Sequence, residues 1–123
     1  MNSRYKAFYY LRSNGRAPLE AYFKKVKQKI ELTDIKAHIY YLIDQKCDLP
    51  PPYIKHIWQK VYELRFKSIG GQQRIFYFIH TKKIIILLDG YTKRTNKIPI
   101  RILKRIKKYY IDYLNTNYDK EYE

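Results

Sequence analysis

The stretch VYELRFKSIGGQQRIFYFIHTKKIIILLDGY, residues 61–91, decides the fold. In its first part Tyr62, Leu64 and Phe66 fall on one face of a strand, because successive side chains of a strand point to opposite sides. A Gly-Gly pair at residues 70–71 suits a tight hairpin turn. RIFYFIH (74–80) is apolar on both faces, as in a central strand, and TKK turns the chain into IIILLDGY. An antiparallel three-stranded meander is predicted.

The segments on either side of the meander add one strand and three helices. YKAFYYL (5–11) is rich in aromatics and predicts a first strand. Pro18 suits the first position of a helix, and Ile35, Ile39, Leu42 and Ile43 form the apolar stripe of a second one.

The closing segment, residues 99–115, predicts a last helix with Leu103, Ile106, Tyr110 and Leu114 along its apolar stripe and lysines and arginines opposite. The predicted fold class is α+β. A twisted antiparallel sheet, made of the N-terminal strand and the meander, packs against two N-terminal helices and one basic C-terminal helix.

Length and composition predict one domain over residues 1–116, followed by a polar tail, residues 117–123, that we expect to fray. The single Cys47 excludes an internal disulfide and any multi-cysteine zinc site. IIILL (84–88), the longest aliphatic run, is far shorter than the roughly 18 residues of a membrane helix. A cytoplasmic protein without membrane contact is expected.

Positive charge is the strongest global feature. Lysines and arginines number 26 against 11 acids, which gives a formal net charge of +15. The excess is concentrated in residues 50–110, where Glu63 and Asp89 are the only acids. Such a surface attracts polyanions, so a nucleic-acid partner is favoured.

Ordinary catalytic signatures do not occur in the sequence. It has no Gly-rich phosphate loop and no HExxH pair, and its acids are too few near the basic half for a two-metal nuclease. RNA can nevertheless be cleaved without metal, because its 2′-hydroxyl can attack the adjacent phosphate. The protein must then supply a base, an acid and cations for the charge that develops. We therefore expect no metal and no cofactor, and LLDGYTKRTNKIP (87–99) as a phosphate-binding segment.

Several short motifs occur in the order known from one family. They are NGRAPLEAYFKKV (14–26), PYIKHI (52–57), YELRF (62–66), RIFYF (74–78) and LLDGYTKRTNKIP (87–99), followed by a basic helix. In this order they resemble the phage Gp49-like, HigB-type toxins of the RelE/ParE superfamily of type II toxin–antitoxin systems. The resemblance implies a RelE-like fold, cleavage of mRNA, usually on the ribosome, and neutralisation by a cognate helix-turn-helix (HigA-like) antitoxin.

The resemblance also implies site residues. Arg65 and Arg74 match basic strand residues that contact RNA or the scissile phosphate, and an aromatic hydroxyl of the last helix, from Tyr109, Tyr110 or Tyr113, assists in some relatives. The candidate catalytic residues are His56, Arg65, Arg74, Asp89, Tyr91, Lys93 and Arg94. The candidate RNA-binding residues are Lys55, Lys67, Lys97, Arg101, Lys104, Arg105 and Lys108.

One departure from the family pattern concerns the proton shuttles. Relatives commonly read LLHGF where this chain reads LLDGY, so that Asp89 stands at a histidine position and Tyr91 at a phenylalanine position. Asp89 could orient a cation or act as a base, although neighbouring positive charges would favour its ionised form and weaken it as a base.

Three functions stay open at this level. The first is a metal-independent endoribonuclease, an mRNA interferase. The second is a ParE-like inhibitor of DNA gyrase, which would share the fold and lack ribonuclease activity. The third is a non-catalytic phage protein that binds only nucleic acid or an antitoxin.

Overall fold

The computed structural model describes residues 4–93 and 97–123. This part of the chain forms three helices and six strands. None of the described helices combines the length and the apolarity that crossing a membrane would take. The elements in chain order are β1 (Lys6–Tyr10), α1 (Pro18–Lys25), α2 (Lys29–Asp44), β2 (Ile54–Trp58), β3 (Val61–Ser68), β4 (Gly71–Thr81), β5 (Ile84–Lys93), α3 (Ile100–Thr116) and β6 (Asp119–Glu121).

The strands form one mixed sheet in the order β2-β3-β4-β5-β1-β6. The β3-β4-β5 meander is confirmed, with Ser68 paired to Gly71 across the predicted turn. The prediction of a wholly antiparallel sheet is wrong, because β1 lies parallel to β5, with Lys6 opposite Ile84. Parallel neighbours need a long connection, and here the chain between them includes two helices and the rest of the meander.

Two strands were not predicted. β2 pairs antiparallel with β3 at one edge of the sheet, and β6 pairs antiparallel with β1 at the other. The tail is therefore ordered, and the expectation that it frays is wrong. Tyr122 explains why: its side chain is 6% exposed, and its N–H donates to the carbonyl of Ala7 at 2.9 Å. Burial of the Tyr122 ring and the pairing of β6 with β1 hold this otherwise mostly polar segment in place.

Helices cover both faces of the sheet. α1 and α2 pack on one face, where Leu19, Phe23, Ile35 and Ile39 meet side chains of β3, β4 and β5. α3 packs on the other face, against Phe76, Phe78, Ile86 and Leu88. The sheet therefore has an α1/α2 side and an α3 side.

The buried stripe of α3 differs from the predicted one. Ile106 and Tyr110 are buried as expected, whereas Leu103 is half-buried and Leu114 is 46% exposed. The rest of the buried face is Ile102, Tyr109 and Tyr113. Tyrosine rings provide more apolar area than the leucines, and the Tyr113 hydroxyl can still donate to Asp119 Oδ2 at 2.6 Å.

An irregularity in β5 determines where Asp89 points. The β4–β5 register shifts between Phe76, which pairs with Asp89, and Tyr77, which pairs with Leu87. Leu88 is the extra residue, so Leu88 and Asp89 both turn to the α3 side. A bulge of this kind redirects a side chain that strict alternation would place on the opposite face.

Candidate functional site

Four cations and one carboxylate lie together on the α3 side of the sheet. Glu63 and Arg65 share the face of Val61, and Arg74 shares that of Phe76, both of which belong to the core under α3. Strand pairing places Lys55 opposite Glu63, Arg65 opposite Arg74, and Gln72 opposite Lys93. We call Lys55, Glu63, Arg65, Arg74 and Lys93 the sheet-face cluster.

Glu63 lies at the centre of this cluster. It is 2% exposed, and its Oε1 lies 3.4 Å from Arg65 Nε and 3.8 Å from Arg74 Nε. Burial raises the pKa of the Glu63 carboxyl, and Arg74, Arg65, Lys55 and Lys93 all oppose that rise. Among the described residues, Glu63 Oε2 and Arg74 Nε have no hydrogen-bond partner.

The two arginines differ in their freedom. Arg74 is 3% exposed; its Nη1 donates to the carbonyl of Gln73 at 3.1 Å and its Nη2 to Gln72 Oε1 at 3.0 Å. Burial, and after it the charge of Arg65, lowers the Arg74 pKa, while Glu63 raises it. Arg65 has a side chain 31% exposed and faces solvent. Arg74 is thus held rigidly, whereas Arg65 can move.

Lys93 ends β5 beside the arginines. Burial, then the positive charge of Arg74, lowers the pKa of its ammonium group, and Glu63 partly offsets the effect. A lysine that loses its proton more easily than usual is a candidate proton donor. Lys67, two residues beyond Arg65 on the same strand face, is exposed at the rim of the cluster.

His56 is not brought to the cluster. It pairs in register with Tyr62, and their rings meet edge to face with centroids 5.1 Å apart. Tyr62 stacks on Tyr77 of the α1/α2 core, so strand alternation places His56 on the opposite side from Lys55. Its Nε2 hydrogen-bonds the carbonyl oxygen of Gln59.

Asp89 and Tyr91 have different surroundings. Asp89 is 4% exposed; its Oδ2 pairs with Arg105 Nη2 at 2.9 Å and its Oδ1 accepts from the N–H of Gly90 at 2.7 Å. Burial raises the Asp89 pKa, with Arg105 acting against it. This carboxylate therefore joins α3 to the sheet, outside the cluster. Tyr91 is half-buried beneath α3 and pairs with Arg74.

The remaining candidates follow β5. Arg94 lies outside the described residues. Lys97 is exposed just before α3, and Arg101, Lys104 and Lys108 are exposed along that helix. Their exposure leaves the basic side of α3 open to a polyanion.

A basic groove of about 780 Å³ lies between α1 and α3, beside the end of β5. Asp89, Gly90, Tyr91 and Thr92 form its floor. Its cationic lining is Arg12, Arg16, Lys25, Lys27, Arg101 and Arg105. The first four were missed from sequence, where they read as ordinary charges of a turn and of a helix end.

The floor of this groove leaves no space for a side chain at Gly90. A Cβ there would lie 2.5 Å from Cδ2 of Tyr22, whose hydroxyl hydrogen-bonds Gln73 Oε1. We expect Gly90→Ala to lower the free energy of unfolding by about 1–3 kcal/mol, the usual cost of overpacking. Urea unfolding followed by circular dichroism measures it, and an unchanged midpoint would contradict this packing.

Among residues 4–93 and 97–123, no three His, Cys, Asp or Glu side chains are grouped as a metal site would need. The lone Cys47 is half-buried, and burial raises the pKa of its thiol to about 12.

The sequence of residues 33–110 matches the family described as phage-derived protein Gp49-like (DUF891). This match covers more than half of the chain. The chain belongs to this family. Membership agrees with the motif resemblance and suggests a toxin of the toxin–antitoxin type. It also implies an antitoxin partner in general terms. No curated protein matches the chain at a significant level.

The match includes every residue of the sheet-face cluster and ends within α3. Glu63 is the member of the cluster to which the sequence assigned no role, since it stood out only as one of the two acids in residues 50–110. Its position two residues before Arg65 was the available signal, because such residues share one face of a strand.

Proposed function

We propose that the chain is the toxin of a type II toxin–antitoxin system and cleaves translated mRNA without metal, as an mRNA interferase. Support comes from membership of the Gp49-like family and from one observation. Lys55, Arg65, Arg74 and Lys93 lie on the same face of the sheet as the Glu63 carboxylate, whose Oε1 is 3.4 Å from Arg65 Nε and 3.8 Å from Arg74 Nε. An anion held there would meet several cations at once.

The chemistry of RNA cleavage fits such a cluster. When the 2′-oxygen attacks the adjacent phosphorus, negative charge grows on the non-bridging oxygens, and cations fixed in advance stabilise it. Arg74 supplies a guanidinium that its hydrogen bonds already orient, and Arg65 can close over the phosphate from the solvent side. Guanidinium groups suit this task because they bind phosphate oxygens in pairs.

Lys93 is the proposed acid. The 5′-oxygen that leaves phosphorus needs a proton, and the lowered pKa of Lys93 makes its ammonium a better donor. Tyr91 of β5 lies opposite Arg74 of β4 and is proposed to border the RNA strand. In this proposal His56 and Asp89 take no direct part, since His56 faces the other side of the sheet and Asp89 is paired with Arg105.

The exposed cations of α3 are proposed to follow the sugar–phosphate backbone beyond the cut. Arg101, Lys104 and Lys108 point away from the core, and contacts of this kind position a strand without reading its sequence. The same surface would suit the ribosome, where the proposed substrate is translated. A cognate helix-turn-helix antitoxin of the HigA-like type would neutralise the toxin.

A cell-free translation reaction tests the proposal. We expect added protein to cut the message within its reading frame, as mapped by primer extension. Protein that has been treated with EDTA and then freed of the chelator should cut equally well, and the Mg²⁺ of the ribosomes is left in place. A single 2′-deoxyribose at the mapped cut should stop cleavage there, because no 2′-hydroxyl remains to attack. Intact message together with inhibited DNA gyrase would instead favour the ParE-like function, and neither effect would favour a binding protein.

A further inference from the structure

Glu63 is an anion built into a site proposed to bind an anion. Its Oε1 lies 3.4 Å from Arg65 Nε and 3.8 Å from Arg74 Nε, Lys55 of β2 is opposite it in register, and Lys93 of β5 lies on the same face. The sequence of residues 50–110 contains one other acid, Asp89, and Arg105 of α3 already pairs with it. An incoming phosphate would therefore compete with Glu63 for the same partners.

We propose that Glu63 is the internal counterion of the sheet-face cluster and, once a phosphate replaces it on Arg65 and Arg74, the base that removes the 2′-hydroxyl proton. This inference rests on the proposed function and assigns a role to a residue that the family motifs left without one.

The ion pairs of Glu63 are weak enough to exchange. Its contacts at 3.4 and 3.8 Å are longer than the roughly 2.7–2.9 Å of strong charge-assisted hydrogen bonds. Arg65 is partly exposed and can rotate towards solvent. A phosphate offers several oxygens at short range, so Arg65 gains better partners by leaving the carboxylate. Arg74 Nε, which has no hydrogen-bond partner among the described residues, gains one without moving.

Loss of these partners would turn Glu63 into a base. Burial already raises the pKa of the Glu63 carboxyl, and the four cations partly offset this rise. A bound phosphate neutralises those cations and adds a negative charge, and both effects raise the proton affinity of the carboxylate. The substrate thus activates its own base, whereas in the free protein the four cations favour the ionised form of Glu63.

The proposed step balances as follows. Glu63 takes the proton of the 2′-hydroxyl, and the 2′-oxygen forms a bond to phosphorus. The bond from phosphorus to the 5′-oxygen breaks, and Lys93 gives that oxygen a proton. The products are a 2′,3′-cyclic phosphate and a free 5′-hydroxyl, after which Glu63 returns its proton to solvent and Lys93 regains one.

Glu63→Gln tests the inference, because it removes the charge and keeps the shape. The matched control is Glu20→Gln, which alters net charge equally on α1, where Glu20 pairs with Lys120 at 2.7 Å. Cleavage is measured on ribosomes programmed with mRNA, from pH 5 to pH 9. Affinity is measured with a 2′-O-methylated RNA oligonucleotide, which cannot be cut, and folding with circular dichroism and thermal melting.

The two readouts should move in opposite directions. We expect Glu63→Gln to slow cleavage about 10²–10⁴-fold, the usual contribution of a general base. The same variant should bind the methylated oligonucleotide about tenfold more tightly, as removal of one like charge beside a phosphate site predicts. The wild-type rate should fall as acid protonates Glu63, and this acidic limb should be absent in Glu63→Gln. Glu20→Gln should match wild type.

Each contrary result has its own meaning. If folded Glu63→Gln cleaves RNA as fast as wild type does, Glu63 is not the base. If this variant binds the methylated oligonucleotide no more tightly than wild type does, Glu63 is not the counterion. If Glu63→Gln fails to fold, Glu63→Asp replaces it. Asp keeps the charge and withdraws it from the arginines, so cleavage should again slow while the acidic limb persists.

If wild type does not cleave RNA, the proposed function fails, and the base role fails with it. The binding comparison then still decides whether Glu63 competes with phosphate.

Discussion

Arg74→Ala is expected to slow mRNA cleavage about 10²–10³-fold, the loss seen when one preorganised oxyanion-stabilising group is removed. Growth arrest on induced expression should disappear with it. Arg74 is the cation of the cluster that its neighbours orient most firmly, through Gln72 and the carbonyl of Gln73. Primer extension on mRNA from induced cells measures the cleavage.

The same variant should also lose stability. Removing Arg74 leaves Glu63 buried with one partner, and breaking a buried ion pair from one side costs about 3–5 kcal/mol. The double variant Arg74→Ala/Glu63→Gln separates the two effects, because it removes the unpaired charge. We expect it to regain most of the lost stability and none of the activity.

Lys82→Ala provides the control for charge. Lys82 is exposed in the turn between β4 and β5, at the end of β4 remote from Arg74. The Lys82→Ala variant has one positive charge fewer and should cleave mRNA as fast as wild type does. Full activity in a folded Arg74→Ala would contradict the placement of the phosphate on the sheet face.

Phe78→Ala is expected to lower the free energy of unfolding by about 3–5 kcal/mol, the range for deleting a fully buried aromatic ring. Phe78 is 1% exposed between the sheet and α3. Its ring meets Tyr110 and Tyr113 edge to face, with centroids 4.8 and 5.6 Å apart. The free energy of unfolding of a small domain is about 5–15 kcal/mol in total, so the variant would be close to unfolding at moderate temperature.

Guanidinium unfolding of Phe78→Ala measures this loss. The control, Ile111→Ala, lies on α3 with its side chain 50% exposed and should change stability by about 0.5 kcal/mol or less. A cost for Phe78→Ala below about 1 kcal/mol would show that α3 does not pack on this face in solution.

Local patterns in the sequence predicted the elements well. The meander, a hairpin turn before Gly71, the start of α1 at Pro18 and a long basic last helix are confirmed, although the two turn residues are Ile69 and Gly70. These depend on side-chain periodicity and on the backbone preferences of glycine and proline, which act within a few residues. β2 and β6 were missed because a strand of three to five residues at a sheet edge depends on its neighbour more than on its own pattern.

The geometry of the candidate site was likewise predictable from the sequence only in part. Strand alternation alone places Glu63 with Arg65, and it correctly separates both from Tyr62 on the other face. It also separates Lys55 from His56, although both were predicted to be site residues. The direction and the ion pair of Asp89 could not be predicted from the sequence, because they depend on a bulge in β5 and on Arg105 of α3.

The sequence by itself determined the α+β class, the meander and the excess of positive charge in residues 50–110, since each follows from residue types and short spacings. Only the tertiary structure decided that β1 lies parallel to β5, that the tail forms a sixth strand, and that four cations share one face of the sheet with a buried carboxylate. These outcomes depend on which distant strands become neighbours. That choice is made by the burial of side chains such as Tyr122 and Phe78, and the charges are carried to their positions with the strands.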